Sequence, residues 1–298
     1  PLVLAVGKVA PALAVGNSVV LKPSEFSPLS ACRLAELATQ AGLPDGVLNV
    51  VNGSGAVVGE AIALHTDVAL LSFTGSTATG KQLMVSAGRS NMKRLMLECG
   101  GKSPFIVFDD GPADLDFVAT CVVGDAFQNQ GQVCSAGTRL LVHESIYDAL
   151  IPKVIEQAQE LIPADPLLAE TTFGPLINQQ QKAKVQGFIT RAVTEDAELL
   201  LGGKTDIDDM KGCFIAPTIF GNVNPQSELA QEEIFGPVLS IFKFRDEAEA
   251  IALANNSKFG LQASVMTQSL GRYQRLVQNL DAGLVMVYGS SSLAAGGI

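Results

Sequence analysis

VALLSFTGSTATG, residues 68–80, decides how this chain folds. The apolar run from Val68 to Phe73 reads as a strand, and it passes straight into Thr74-Gly75-Ser76, with a helix expected to about Ala87. Working back toward the start, Val47 to Val51 is a strand and Val57 to Leu64 a short helix. Leu29 to Gln40 carries apolar residues near helical spacing and is stopped by Gly42-Leu43-Pro44. Val15 to Leu21 is a further strand candidate. Strands alternating with helices at this spacing predict a parallel sheet with helical crossovers. Continuous apolar strands fit a sheet covered on both faces.

Working forward, the pattern changes at Gly100-Gly101. Phe105 to Phe108 and Arg139 to Val142 read as strands, and Leu115 to Phe127 and Ser145 to Leu161 as helices. A loop-rich stretch from Pro163 to Gln181 precedes a helix over Lys182 to Thr194. Ala197 to Leu201 then leads into a turn at Gly202-Gly203. The chain is therefore read as α/β, with one parallel-sheet unit over residues 1–100 and a second α/β unit over 101–298. A length of 298 residues agrees with two domains at roughly 150 residues each. The acidic cluster Asp206, Asp208 and Asp209 reads as a solvated loop.

Composition narrows the function. Hydrophobic residues make up 47% and charged residues 17%, which excludes a disordered chain. The net charge of −10 suits neither phosphate neutralisation nor nucleic-acid binding. Cys32, Cys99, Cys121, Cys134 and Cys213 are odd in number and never in a Cys-x-x-Cys pair. His65 and His143 have no partner at ligand spacing. Neither a disulfide framework nor a metal site is expected, and a reducing cytoplasm is the expected compartment. Lys8 interrupts the longest apolar stretch well short of the ~20 residues of a membrane span. The opening residues 1–7 lack a preceding basic segment and an initiating Met. Both ends therefore read as cut, with the chain beginning inside a domain.

Cys134 lies in FQNQGQVCSAG, residues 127–137, a polar loop punctuated by Gly131 and Gly137. Those glycines permit close backbone approach to a ligand, so Cys134 reads either as a nucleophile or as a small buried residue. No His is placed for a Cys–His pair, which disfavours a papain-like hydrolase. Glu98, beside Cys99-Gly100-Gly101, is a general-base candidate if burial raises its pKa, or else a surface carboxylate before a turn. Gly75 and Ser76 open a helix whose N–H groups can hold an anion, the alternative being an ordinary capped helix. Lys22 and Glu25 follow a strand, where both can reach ribose hydroxyls, the alternative being a solvated strand end. Glu233 precedes Phe235-Gly236-Pro237, which otherwise reads as a helix end with its Phe in the core.

Order and spacing together carry a resemblance. KVAPALAVGNSVVLKPSE (8–25), AGLPDGVLNVV (41–51), FTGST (73–77), LECGGKSP (97–104), FQNQGQVCSAGTR (127–139), FGPL (173–176), PTIF (217–220), EEIFGPV (232–238) and FGLQASV (259–265) make the chain similar to the aldehyde dehydrogenase superfamily. The resemblance implies a Rossmann-like parallel-sheet cofactor domain, truncated at its N-terminus, and a second, catalytic α/β domain without the C-terminal oligomerisation segment. It implies oxidation of an aldehyde to a carboxylic acid, with Cys134 forming a thiohemiacetal and then a thioester. Glu98 would activate the deacylating water, and Lys8 would join a proton relay to that base. Lys22 and Glu25 would hold the adenosine ribose, Gly75 and Ser76 the pyrophosphate, and Glu233 the nicotinamide ribose, with Phe235 near the ring. NAD is the expected cofactor, because Glu25 would repel a 2′-phosphate, with NADP possible. A parent homodimer or homotetramer is implied. An Asn that donates to the oxyanion in the family precedes the position of Pro1, so weak or no activity is expected of these 298 residues alone. A CoA-acylating semialdehyde dehydrogenase and a non-catalytic nucleotide-binding homologue are the alternatives; the retained Glu98 argues against the first, and Cys134, Glu98 and Glu233 together against the second.

Overall fold

A computed structural model describes residues 1–194, 197–204 and 211–288. It divides into two compact units, Pro1–Cys99 and Gly100–Ile298. The acidic cluster Asp206, Asp208 and Asp209 lies outside the described residues, as do the last ten residues of the chain.

The first unit runs α1 (Leu2–Ala14), β1 (Val19–Leu21), α2 (Leu29–Gln40), β2 (Leu48–Val50), a π-helical turn (Gly55–Gly59), α3 (Glu60–Leu64), β3 (Leu70–Thr74), α4 (Thr77–Arg89) and β4 (Arg94–Glu98). β1 pairs with β2, and β3 with β4, both in parallel. The expected strand at 15–21 is shorter than its apolar pattern because α1 ends in a Schellman motif. Gly16 adopts φ +82, its N–H donates to the Leu13 carbonyl and that of Asn17 to Ala12. The short helix expected from Val57 starts instead as the wide turn at Gly55. Coverage of these strands on both faces is not found among the described residues. Leu71, Phe73, Leu95 and Leu97 pack with Ala63 and Leu83, whereas Arg94, Met96 and Glu98 are exposed. Side chains alternate along a strand, so β4 buries only its Leu face.

The second unit continues with β5 (Pro104–Val107), α5 (Leu115–Phe127), β6 (Arg139–His143), α6 (Glu144–Gln159), α7 (Gln179–Thr194), β7 (Glu198–Leu201), β8 (Thr218–Gly221), α8 (Glu228–Gln231), β9 (Val238–Phe244), α9 (Glu247–Asn255), β10 (Gln262–Met266), α10 (Leu270–Asn279) and β11 (Leu284–Tyr288). The sheet order is β11-β10-β5-β6-β9-β8-β7, parallel except for β7 against β8. Here the strands are covered on both sides. Phe105, Val107, Leu140, Val142, Leu239 and Ile241 face α5 and α6. Ile106, Leu141, Phe242 and Phe244 face α7, α9 and α10. Each fully buried side chain of this kind contributes roughly 1.5–3 kcal/mol. His143 ends β6 and caps α6 through the Ser145 N–H. Among the described residues no helix is long and apolar enough to cross a membrane.

Two buried cations stand at the start of this sheet. Arg139 donates to the carbonyls of Lys102 (2.8 Å), Leu253 (2.9 Å) and Ala254 (2.6 Å), closing the end of α9. Lys102 is 2% exposed, and its Nζ has no hydrogen-bond partner among the described residues. Burial, then the neighbouring Arg139, lowers its pKa to about 7. The unfolded chain therefore binds more protons than the folded one between pH 7 and the ordinary lysine range, and stability rises with pH there. Lys102→Met is expected to stabilise the protein at pH 7 by about 1–4 kcal/mol. In urea denaturation that gain shrinks as the pH approaches 10.

Candidate active site

Three adjacent parallel strands of the second unit bring its candidates together. Gly100-Gly101 leads into β5, the Cys134 loop into β6, and Glu233-Ile234-Phe235-Gly236 into β9, and these strands are neighbours in the order β5-β6-β9. All three segments therefore meet at the N-terminal edge of one stretch of sheet. The Gly101 N–H donates to Glu233 Oε1 at 3.3 Å. A Cβ on Gly100 would overlap the Glu233 carboxylate, and one on Gly101 would overlap the Cys134 carbonyl oxygen. Gly101 thus touches both candidates, and only a residue without a side chain fits between them. Burial pushes the Glu233 carboxyl up, while the Gly101 N–H, Lys184 and Lys102 oppose that shift.

Cys134 is half-buried in the turn before β6. The chain reaches it through a left-handed turn, with φ of 50 at Asn129, 57 at Gln130 and 68 at Gly131. Each non-glycine residue in this region costs roughly 1–2 kcal/mol. Gly131 packs against Gly236, where a Cβ would strike the Gly236 carbonyl. Phe235 is also left-handed, at φ 57. It is half-exposed, and Ile234, at 3% exposure, is the core residue. The reading of Phe235 as a core side chain is therefore corrected. Strain of this kind persists where surrounding contacts hold it. Those contacts come from residues the sequence reading missed. Gln181 Nε2 donates to the carbonyls of Ile234 and Phe235 at 3.0 and 2.8 Å, and Lys184 Nζ to that of Glu233 at 2.8 Å. Gln132 Oε1 accepts the Ile177 N–H at 3.0 Å. Gln181 and Lys184 lie three apart, on one face of α7, which is the only trace of this role in the sequence.

The first unit gathers its candidates at the opposite kind of edge, the C-terminal ends of parallel strands, where open α/β sheets bind ligands. Lys22 follows β1, and its Nζ donates to the carbonyls of Pro23 (2.5 Å) and Gly53 (3.2 Å) and lies 3.9 Å from Glu25 Oε2. Glu25 is exposed, leaving a carboxylate able to accept from sugar hydroxyls. Gly75 and Ser76 follow β3. The Phe73 ring occupies the place of a Gly75 side chain. Ser76 caps α4 by accepting the Thr79 N–H at 3.2 Å. Glu98 ends β4, is exposed, and accepts the Gly75 N–H through its carbonyl at 3.0 Å. Lys8 Nζ donates to Ser72 Oγ at 2.9 Å. Ser72 and Thr74 share a strand face, and Thr74 is in register with Glu98, so Lys8 sits one step along the face that carries Glu98. A hydroxyl-accepting carboxylate and a lysine after β1, and a helix N-terminus after β3 in a separate parallel pair, fit a dinucleotide. Among the described residues, no group of three or more His, Cys, Asp or Glu side chains could hold a metal ion.

Gly101→Ala must displace the Cys134 backbone. It is expected to destabilise the protein by about 1–3 kcal/mol and to slow alkylation of Cys134. Gly88→Ala, in open space within α4, should leave both the denaturant midpoint and the alkylation rate at or above their starting values.

Residues 1–297 match the aldehyde dehydrogenase family model. The NADP/NAD-dependent aldehyde dehydrogenase PuuC of Escherichia coli K12 is 50% identical over 96% of this chain and 57% of that protein. The crystal structure of the aldehyde dehydrogenase KauB from Pseudomonas aeruginosa superposes with a TM-score of 0.95 at 48% identity, covering 100% of this chain and 59% of that one. An indole-3-acetaldehyde dehydrogenase in complex with NAD+ gives a TM-score of 0.95 at 49% identity over the same shares. The chain thus spans a little under three-fifths of each of these relatives. With its α/β fold and its parallel sheet, it belongs to the aldehyde dehydrogenase family.

Proposed function

We propose that the protein oxidises an aldehyde to a carboxylic acid with NAD, NADP being accepted as well, and that Cys134 is the nucleophile. The observation that carries this reading is the packing of Gly101 between the Cys134 backbone and the Glu233 carboxylate. It ties a strained, thiol-bearing loop to an acceptor for a sugar hydroxyl.

The Cys134 thiolate adds to the aldehyde carbon, and the carbonyl π electrons move onto oxygen to give a thiohemiacetal oxyanion. The Cys134 backbone N–H donates to that oxygen; a donor of this kind is worth ~2.7–4 kcal/mol. Bound NAD supplies the two-electron acceptor for oxidation of the thiohemiacetal to a thioester. Glu98 then takes a proton from water as its oxygen attacks the thioester, and the acid leaves with Cys134 regenerated. Lys8, held on Ser72, supports the charge on the Glu98 face of β4. Glu233 would hold the nicotinamide ribose, with Phe235 near the ring. Lys22 and Glu25 would hold the adenosine ribose, and Gly75 and Ser76 the pyrophosphate. Glu25 disfavours a 2′-phosphate, while Lys22 beside it tempers that repulsion.

A homodimer or homotetramer in the cytoplasm, without nucleic-acid or membrane partners, completes the reading. Five widely spaced free cysteines suit a reducing compartment, and a net charge of −10 disfavours a nucleic-acid partner. The test is an aldehyde panel, including indole-3-acetaldehyde and short aliphatic aldehydes, run on the full-length protein with NAD and with NADP. Free acid is expected with or without coenzyme A, and Cys134→Ser is expected to lower kcat at least ~1000-fold. Product that appears only as an acyl-CoA, or turnover that survives Cys134→Ser, would refute the proposal.

A further inference from the structure

Asp125 is a half-buried carboxylate that the reaction above does not use. It lies on α5 at helical spacing from the buried Val118 and Val122, a face otherwise given to core packing. Ser264 Oγ on β10 donates to its Oδ2 at 3.2 Å, and the nearby Gly137 backbone amide helps hold the carboxyl pKa down. Gly137 is three residues beyond Cys134 and two before β6. A Cβ there would come within 2.6 Å of Asp125 Oδ2 and 3.1 Å of Phe105, so the backbone is pressed directly onto the acid. The Cys134 segment is thereby held at two points, by Gly101 at the Cys134 carbonyl and by Asp125 at Gly137.

We propose that Asp125 is a positioning residue for Cys134, its ionised carboxylate gripping the Gly137 amide and so fixing the segment that runs from the thiol into β6. The inference rests on Cys134 being the nucleophile. The ionised form grips best, because a carboxylate accepts both N–H and O–H and a charged acceptor makes the stronger bond. Protonation removes acceptor capacity where two donors converge. Burial raises the Asp125 pKa to about 6, with Ser264 and Gly137 opposing the shift. The other titratable groups around it are Cys121 on its own helix and Tyr288 on β11. Gln262 Nε2 donates to Ser264 Oγ at 3.4 Å, and the Tyr288 ring stacks on Phe105. Burial pushes both Cys121 and Tyr288 up, so both stay neutral where Asp125 titrates. The folded state binds the extra proton between the ordinary carboxylate range and about pH 6. Ionisation therefore costs global stability as the pH rises through that window, while it tightens the loop.

The experiment compares the full-length wild type with Asp125→Asn and Asp125→Ala from pH 5 to pH 8. Amide hydrogen exchange across residues 133–139, corrected for intrinsic rates, reads the grip, and iodoacetamide alkylation of Cys134 reads the thiol. In the wild type, protection is expected to fall about tenfold from pH 7 to pH 5, the size of one hydrogen bond to a charged group. The alkylation profile is expected to show the same inflection. Asp125→Ala is expected to lack that protection throughout. Asp125→Asn, which keeps an acceptor and cannot ionise, is expected to fold at least as stably at pH 7 and to lose the inflection. Unchanged protection in Asp125→Ala, or an inflection that survives Asp125→Asn, would overturn the proposal. So would exchange that moves without any change in Cys134 alkylation, since the carboxylate would then be structural only. Cys134 reacting no faster than the other four cysteines in every form would instead defeat its assignment as nucleophile, with the grip on Gly137 judged by exchange alone.

Discussion

Gly101 ties two distant loops of the second unit together. Its N–H is committed to Glu233, and its open α-carbon face is filled by the carbonyl of Cys134. A single residue without a side chain thus sets the separation between a thiol-bearing turn and a carboxylate that arrives from more than a hundred positions later in the sequence. The two loops it joins are held by further contacts of the same kind. The left-handed turn at Asn129 and Gln130 and the left-handed Phe235 are both costly conformations, held by Gly131 against Gly236 and by Gln181 on the carbonyls of Ile234 and Phe235.

Topology explains where these groups stand within each unit. In the first unit the candidates follow parallel strands, at the edge where strand carboxyl ends and helix N-termini favour anionic and sugar ligands. In the second unit they precede β5, β6 and β9, at the amino edge. That edge lacks the helix N-termini which make the other one a ready phosphate site. It offers instead loops whose shape is fixed by glycine contacts and by buried cations. Lys102 and Arg139 stand there, and Arg139 spends its donors on the end of α9. The two edges thus present different groups: hydroxyl-accepting side chains and a helix N-terminus in the first unit, and glycine-fixed loops in the second.

Much of this is legible in the sequence, where local patterns carry it. α2 and α5 have the bounds that their apolar spacing predicts. β3 and α4 follow from a strand running into Thr-Gly-Ser. Residues that look alike in one dimension are less legible. β4 escapes notice because Arg94, Met96 and Glu98 break its apolar run. The shortening of β1 depends on a left-handed Gly16, which an apolar pattern does not register. Among the site residues, Cys134, Glu98 and Glu233 stand out by type and by neighbouring glycines. Gln181, Lys184, Lys102 and Asp125 do not, because their roles arise from contacts across the sheet order, and that order is not written in any local pattern.

The central claim is that the sulfur of Cys134 carries the acyl group between oxidation and hydrolysis. The most direct test is an acid quench of the full-length Glu98→Gln protein during turnover of an aldehyde with NAD, followed by peptide mass spectrometry. With the proton acceptor for water removed, the account predicts that an acyl thioester accumulates on the peptide containing Cys134, close to one per active chain. No acyl group on that peptide, or one on another cysteine, would contradict it.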